Sequence, residues 1–258
     1  MMRLAIAIVA LAAACRPTTA PLDPQPTHGS SPPPVASPND GAPPVDETPQ
    51  PVAVRINRDY ALADTKRWAK NFEHDGREVF DKRTDILAAL DLRDGSTVAD
   101  VGAGTGLFTL LFAEKVGKQG SVVAVDVQQY FLDHVALRAK ALGLANITVQ
   151  LADQRGTGLA AASLDLAFLC DAYHHLELPR TYLADLRRAI KPGGRLVVID
   201  YDRTRPGTRA WMKDHIRADP PELRREIEAA GFVFVDEPDL LRENFFMVFR
   251  APEATPSA

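Results

Sequence analysis

The chain is poor in cysteine, in long apolar runs and in clustered positive charge. Only Cys15 and Cys170 occur among 258 residues. The apolar run from Leu4 to Ala14 is too short to span a bilayer as a mature helix. A net charge of −4, with no stripe of Lys or Arg, gives no argument for a nucleic-acid partner, and we expect none. What is present is 46% hydrophobic residues, enough for one sizeable core.

The first fifteen residues are typical of an export signal. Met1-Met2-Arg3 is short and basic, and the apolar run that follows suits the core of a secretory signal peptide. Leu11-Ala12-Ala13-Ala14-Cys15 resembles a bacterial lipobox, although Ala12 stands where that pattern usually has Leu. The resemblance implies lipidation of Cys15 and a lipoprotein anchored to the membrane of the cell envelope. A plain signal peptide and a mistaken start site are the alternatives, and an unused signal would leave the protein cytoplasmic.

A proline-rich segment separates this signal from the rest of the chain. Residues 16–54 contain twelve prolines among Ser, Thr, Gly and Asp, so they bury too little apolar surface to repay ordering. We predict a disordered tether there, a single domain over 55–251 and a disordered tail over 252–258. With Cys15 lipidated, Cys170 has no partner within the chain, and we interpret it as a small buried apolar residue.

The most informative feature is a glycine-rich turn after an apolar run. The run Val98-Ala99-Asp100-Val101 is predicted to be a buried strand, and a helix-like pattern begins at Leu107. Gly102, Gly104 and Gly106 lie between them, where a Cβ would keep a ligand away from the backbone. The N-terminus of the following helix offers unpaired N–H groups to an anionic group.

An acidic residue follows at the spacing that ribose binding requires. Asp126 lies twenty residues after Gly106 and ends a second apolar run, Val122 to Val125. A carboxylate at the tip of the second strand is placed to bind a ribose diol. Turn and carboxylate together predict a nucleoside-bearing cofactor across the carboxyl ends of parallel strands.

The residues around the glycines favour one cofactor over another. The dinucleotide fingerprint needs glycine at position 107, where this chain has Leu107. Asp100 would repel a pyrophosphate but suits a sulfonium or an ammonium. The pattern therefore favours S-adenosyl-L-methionine (SAM) over NAD, and a nicotinamide-dependent reductase is the less favoured interpretation.

Asp100-Val101-Gly102-Ala103-Gly104-Thr105-Gly106 resembles motif I of the class I SAM-dependent methyltransferases, and the resemblance extends over roughly residues 56–251. It implies an α/β fold: a doubly wound, Rossmann-like, mostly parallel sheet with an antiparallel C-terminal strand pair and helices on both faces. It also implies cofactor contacts. The segments that extend the resemblance beyond motif I are Val122–Asp126, Ala152-Asp153, Leu164–Asp171 and Ile190–Asp200. The cofactor-binding residues that the resemblance implies are Asp100, Gly102, Gly104, Gly106, Asp126, Val127, Asp153 and Asp171.

The candidate catalytic residues lie after the fourth predicted strand, where the family's substrate-facing loop begins. Asp171 can orient the methionyl amine or a substrate proton, and Tyr173 can line the methyl pocket. His174 or His175 can act as a base, because imidazole titrates near neutral pH. The alternative is that these histidines only pack or form hydrogen bonds.

The sequence offers weaker evidence for a metal site and for a substrate lid. Cys170, His174, His175 and His215 could converge on a metal ion, but the chain has no Cys-x-x-Cys pair and no His-Glu-x-x-His motif, so we expect no metal.

Arg209, Lys213 and Arg217 fall on one face of a predicted helix, which suggests a basic substrate lid or simply a solvated face. Phe72 to Arg77 is a second candidate cover for the cofactor.

The sequence thus predicts a SAM-dependent methyltransferase. The favoured acceptor is a small molecule, because no nucleic-acid-binding appendage is present and Asp171-Ala172-Tyr173-His174 replaces the Asn-Pro-Pro-Tyr type of motif. A non-catalytic, envelope-anchored SAM- or nucleoside-binding module is the alternative. The sequence leaves the oligomeric state open.

Overall fold

The computed structural model describes residues 46–206 and 208–254. The predicted signal peptide, Cys15 and the tether as far as residue 45 lie outside this range, as does the end of the predicted tail. None of the helices within the described ranges is both long and apolar enough to cross a membrane.

The described residues form one seven-stranded sheet. Its order is β3-β2-β1-β4-β5-β7-β6, with β1 to β5 parallel and β7 antiparallel to both of its neighbours. This order confirms the predicted fold class. The strands are β1 (Thr97–Val101), β2 (Ser121–Asp126), β3 (Ile147–Leu151), β4 (Leu164–Cys170), β5 (Ile190–Tyr201), β6 (Val233–Asp236) and β7 (Asn244–Arg250).

Helices connect the parallel strands except β3 and β4, and they cover the sheet. Pro opens α1, α7 and α9, where its missing N–H costs nothing. The helices are α1 (Pro51–Asn57), α2 (Thr65–Phe72), α3 (Glu78–Asp81), α4 (Arg83–Ala89), α5 (Leu107–Lys115), α6 (Gln129–Leu142), α7 (Pro179–Ala189), α8 (Ala210–His215) and α9 (Pro220–Ala229).

Strand periodicity divides the core between the two faces of the sheet. On β4, Ala167 and Leu169 face the cluster that includes residues of α7 and α9, whereas Leu166 and Phe168 face the cluster that includes residues of α4 and α5. Because successive strand residues point to opposite faces, a strand buried on both sides has an uninterrupted apolar sequence. This explains why the pattern predicted β4 well.

The strand order creates a crevice at the carboxyl ends of β1 and β4. From β1 the chain proceeds outward to β2 and β3, and it then returns to place β4 on the other side of β1. Ligands of open α/β sheets bind outside the strand ends at such a reversal. The predicted site segments after β1, β2 and β4 therefore come to one edge.

The N-terminal part of the domain differs from the prediction in two ways. Helix α1 begins at Pro51 and buries Ala53 and Ile56, so ordered structure starts before the predicted boundary at residue 55. Even earlier, the Glu47 carboxylate accepts hydrogen bonds from the backbone N–H groups of Arg180 and Thr181. Tertiary contacts thus order the end of a proline-rich segment that composition alone assigns to the tether.

The segment that leads into β1 is helical but interrupted. The structure divides it into a 3-10 turn at Arg58–Ala61 and three short helices, α2, α3 and α4. One break lies at Gly76, whose φ of 93° is in the left-handed region.

Phe168 offers a test of the core. Its side chain is fully buried, and its ring centroid lies 4.9 Å from that of Phe108 and 5.0 Å from that of Phe112. We expect Phe168→Ala to lower the free energy of unfolding by about 3–5 kcal/mol, because it leaves a cavity at the centre of the sheet. Urea denaturation followed by circular dichroism measures this change. Val233→Ala, on the exposed face of β6, is the control and should cost less than about 0.5 kcal/mol; equal losses in the two variants would contradict this core assignment.

Candidate cofactor and acceptor site

A cavity of about 830 Å³ opens at the carboxyl edge of the parallel strands. Its wall includes residues that follow β1, β2, β3 and β4, and the N-terminal helices and α8 contribute to its other sides. The predicted site residues on its wall are Asp100, Gly102, Gly104, Asp126, Val127, Asp153, Asp171, His174 and His175.

The glycine turn has the close approaches that the sequence argument requires. A Cβ on Gly102, whose φ is +75°, would lie 2.6 Å from the Cβ of Ala172. A Cβ on Gly106, at φ +87°, would lie 2.9 Å from a methyl group of Val135. Gly106 caps the N-terminus of α5 and is not on the cavity wall, so its role is to pack the turn against α6. Of the three glycines, Gly102 and Gly104 line the cavity.

Two buried carboxylates flank this turn. Asp126 accepts hydrogen bonds from the N–H groups of Gly104 and Gln128, both at 2.9 Å, and so connects the end of β2 to the turn. Asp100 accepts a 2.5 Å hydrogen bond from the Thr109 hydroxyl. Burial is the main cause that raises the pKa of Asp126 to about 6 and that of Asp100 to about 7.

Val127 and Asp153 lie at the rim. Val127 is 40% exposed, which is unusual for an apolar residue and leaves its side chain available to a flat ligand. The Asp153 carboxylate accepts hydrogen bonds from the N–H groups of Arg155 and Gly156, which fix the turn after β3. Both residues line the cavity.

Asp171 is held in a strained position between strands. Its φ of 50° is unusual for a residue with a side chain. One carboxylate oxygen lies 2.6 Å from the Arg77 guanidinium, and the other accepts a 2.6 Å hydrogen bond from the Asn244 amide. Since Arg77 comes from the N-terminal segment and Asn244 from β7, Asp171 joins three distant parts of the chain at the cavity wall. These two partners were missed by the sequence analysis.

The two histidines after β4 are each fixed through Nδ1. His174 Nδ1 donates to Asp200 at 2.7 Å, and the same carboxylate accepts the His174 backbone N–H. His175 Nδ1 donates to the Asn57 side-chain oxygen at 2.7 Å. Burial lowers the pKa of both imidazoles, so the rings are neutral at pH 7. Nε2 is therefore the ring nitrogen that each leaves available.

Tyr173 does not line the cavity, so the predicted role for it in a methyl pocket is wrong. Its ring is buried in the core, and its hydroxyl donates a 2.5 Å hydrogen bond to Glu226 on α9. A 3-10 turn, Tyr173–His175, follows β4 and directs consecutive side chains to different surroundings. No local sequence pattern predicts this turn.

The basic helix face predicted over residues 209–217 is also wrong. Helix α8 ends at His215, and Arg217 lies beyond it, where its guanidinium pairs with Glu226 over the Tyr173 ring. Arg209 and Trp211 do lie on the cavity wall. The region after β5 thus contributes Arg209, Trp211 and His215 to the site rather than a continuous basic surface.

An aromatic wall from the N-terminal helices closes the opposite side. Tyr60 stacks on Trp68 with a centroid distance of 4.4 Å, and Trp68 stacks on Phe72 at 5.4 Å. All three residues line the cavity. The sequence analysis singled out only Phe72, because an isolated aromatic in a short helix looks like an ordinary core residue.

The comparisons with known proteins agree with this geometry. A family model described as a methyltransferase domain matches residues 98–194. A solved SAM-dependent methyltransferase from Aquifex aeolicus is similar in structure, with a TM-score of 0.65 and 25% identity over 73% of this chain and 98% of that one.

Two curated relatives are similar in sequence. An O-methyltransferase of Aspergillus sclerotiorum is 27% identical over 69% of this chain and 70% of its own length. An uncharacterized protein in a transposon of Streptomyces fradiae is 32% identical over 54% of this chain, and the match spans 36% of that protein's length.

The fold is that of SAM-dependent methyltransferases, and residues 98–194 match a methyltransferase domain. S-adenosyl-L-methionine is the cofactor that this fold and domain imply. The residues present fit it: the turn at Gly102 brings backbone to the cavity, Asp126 ends β2 beside it, and Asp100 offers a carboxylate suited to a cationic group.

Asp126 provides a test of cofactor binding. We expect Asp126→Asn to weaken SAM binding by about 1–3 kcal/mol, because an amide replaces a charged acceptor for ribose hydroxyls. Isothermal titration calorimetry measures the affinity. Asp133→Asn, which alters an exposed carboxylate on α6, should bind like the wild type. An unchanged affinity in a folded Asp126→Asn variant would remove Asp126 from the site.

The raised pKa of Asp100 predicts that the free energy of unfolding depends on pH. Its pKa rises on folding from 3.8 to about 7, so its favourable contribution is present below pH 3.8 and is lost as the pH rises through 7. Asp100→Asn keeps the shape without the buried charge. We therefore expect it to raise the free energy of unfolding more at pH 8 than at pH 5, as measured by urea denaturation. The neighbouring Asp126 is present in both proteins, so an equal effect at the two pH values would contradict the raised pKa of Asp100.

Proposed function

We propose that this chain transfers a methyl group from SAM to a small-molecule acceptor that binds between the histidines after β4 and helix α8. The observation that carries the proposal is that one cavity collects the glycine turn, two buried acids, the Asp171–His175 segment and α8. When bound, SAM supplies an electrophilic methyl group on a sulfonium sulfur.

The first support is the separation of two kinds of surface within the cavity. Gly104 and Asp126 offer backbone and a carboxylate, which suit the hydroxyl-rich and polar parts of the cofactor. His174, His175 and Trp211 offer ring nitrogens and an aromatic face, which suit a flat acceptor with a polar group. Asp171 lies on the same wall as the histidines.

The second support is how firmly the acceptor side is held. His174 and His175 cannot rotate freely, because Asp200 and Asn57 each hold an Nδ1 atom. Their Nε2 atoms can accept a hydrogen bond from a hydroxyl and orient its oxygen. Positioning a nucleophile in line with a leaving group can supply about 7–11 kcal/mol of the barrier reduction. We assign His174 and His175 this role.

The third support concerns Asp171. Its carboxylate lies on the cavity wall, with a strained backbone kept in place by Arg77 and Asn244. Strain of this kind persists where the surrounding structure fixes a functional group. We assign Asp171 to the cofactor's methionyl amine, where a carboxylate can accept hydrogen bonds from an ammonium group.

The name of the Aspergillus relative supports oxygen as the acceptor atom.

The test of the proposed function has two stages and uses the full chain. Calorimetry with SAM, S-adenosylhomocysteine and NADH should show binding of the two adenosyl compounds and none of NADH. Incubation with methyl-labelled SAM and a panel of phenols, alcohols and carboxylic acids should then yield labelled product from at least one acceptor class.

Two variants test whether methyl transfer depends on the histidines of the cavity. His175→Ala should lower the rate of transfer at least tenfold while leaving SAM binding within about twofold, because it removes an acceptor-side group only. His134→Ala, on α6 away from the cavity wall, should match the wild type in both respects. Binding of NADH in place of SAM, or SAM binding without transfer to any acceptor, would contradict the proposal.

A further inference from the structure

Three imidazole rings meet at the acceptor end of the cavity. His174 and His175 follow β4, and His215 is the last residue of α8. One potential ligand atom from each lies within 4.8 Å of the other two. The ring centroids are 4.2 Å apart for His174 and His175 and 5.2 Å apart for His174 and His215. All three line the cavity, so the cluster is accessible to a ligand.

The hydrogen bonds around this cluster have the arrangement found around metal-binding histidines. A histidine that binds a metal through one nitrogen almost always donates the other N–H to a carboxylate, a carbonyl oxygen or a water. Here Asp200 accepts from His174 Nδ1, and the Asn57 side-chain oxygen accepts from His175 Nδ1. Both interactions leave Nε2, with its lone pair, as the atom available to a metal.

We propose that His174, His175 and His215 bind one divalent transition-metal ion, with zinc as the first candidate, and that its fourth position is open to the cavity. Three protein ligands with an open position are typical of catalytic zinc, and structural zinc sites have four. Neutral imidazoles suit zinc, copper, iron and nickel better than magnesium or calcium. The buried Asp200 side chain behind His174 accepts the Nδ1–H and fixes the orientation of the ring.

The three rings are close enough to bind one ion if their ligand atoms move slightly toward one another. Tetrahedral zinc at about 2.0–2.1 Å from nitrogen places its ligand atoms about 3.4 Å apart. The three atoms therefore need to approach by about 1.5 Å at most. His215 is the last residue of α8, a helix of six residues, whereas the other two histidines lie in the turn after β4.

The sequence analysis expected no metal because no local ligand motif is present. The three ligands here are separated by up to 41 positions, and their convergence depends on the placement of α8 beside the turn after β4. Cys170, the fourth residue considered there, lines the cavity but is not part of the three-histidine cluster. With the ion bound, the Nε2 atoms of His174 and His175 bind the metal, and the acceptor oxygen binds the ion in its open position instead of these ring nitrogens, a consequence that rests on the proposed function.

Binding of Co²⁺ to the full chain tests the site directly. Protein stripped with a chelator should take up one equivalent of Co²⁺ and show the visible ligand-field absorption of a four-coordinate ion, and Zn²⁺ should displace it. His215→Ala should lower the affinity at least tenfold. Asn57→Ala should lower it about ten- to a hundredfold, because it releases the His175 ring. His134→Ala is the matched control and should bind as the wild type does.

SAM binding measured on the same samples separates this inference from the proposed function. Absence of the cobalt absorption, or its persistence in folded His215→Ala, would overturn the metal site. Bound SAM together with no histidine-dependent cobalt would overturn the metal site alone. Histidine-dependent cobalt without SAM binding would support the metal site and contradict the methyltransferase assignment.

Discussion

The parallel hydrogen bonding of β2, β1, β4 and β5 is the constraint on which the rest of the structure depends. It aligns the carboxyl ends of these strands at one edge of the sheet. Each strand then delivers its following residues to the same place. The reversal of strand order between β1 and β4 opens the crevice, and the residues that fill its walls come from segments far apart in sequence.

The buried carboxyl groups of Asp171 and Asp200 at this edge have partners, and those partners come from distant parts of the chain. Asp171 is joined to Arg77 and Asn244, and His174 to Asp200. Such pairing is required, because an unpaired buried charge is costly. The same contacts orient side chains toward the cavity. Residues that stabilise the edge of the sheet therefore also determine the shape and chemistry of the site.

The N-terminal segment has a larger role than its composition indicates. Helix α1 supplies Asn57, the 3-10 turn after it supplies Tyr60, and α2 supplies Trp68. A salt bridge between Glu73 and Arg138 on α6 holds the loop that follows α2. The Arg138 guanidinium also donates a hydrogen bond to the carbonyl of Thr105 in the glycine turn. The cofactor side and the acceptor side of the cavity are consequently both completed by residues that precede β1.

The sequence by itself determined the order of strands and helices in the core of the domain and the cofactor side of the site. Local patterns suffice there: apolar runs define buried strands, Gly102 and Gly106 permit backbone conformations that other residues resist, and Asp126 ends a strand at a fixed distance from them. Only the tertiary structure decided the acceptor side. Asn57, Asp200 and His215 meet His174 and His175 through packing between distant segments, and no local spacing encodes such contacts. Tyr173, adjacent to both histidines in sequence, enters the core instead, because the turn after β4 sends neighbouring side chains in different directions.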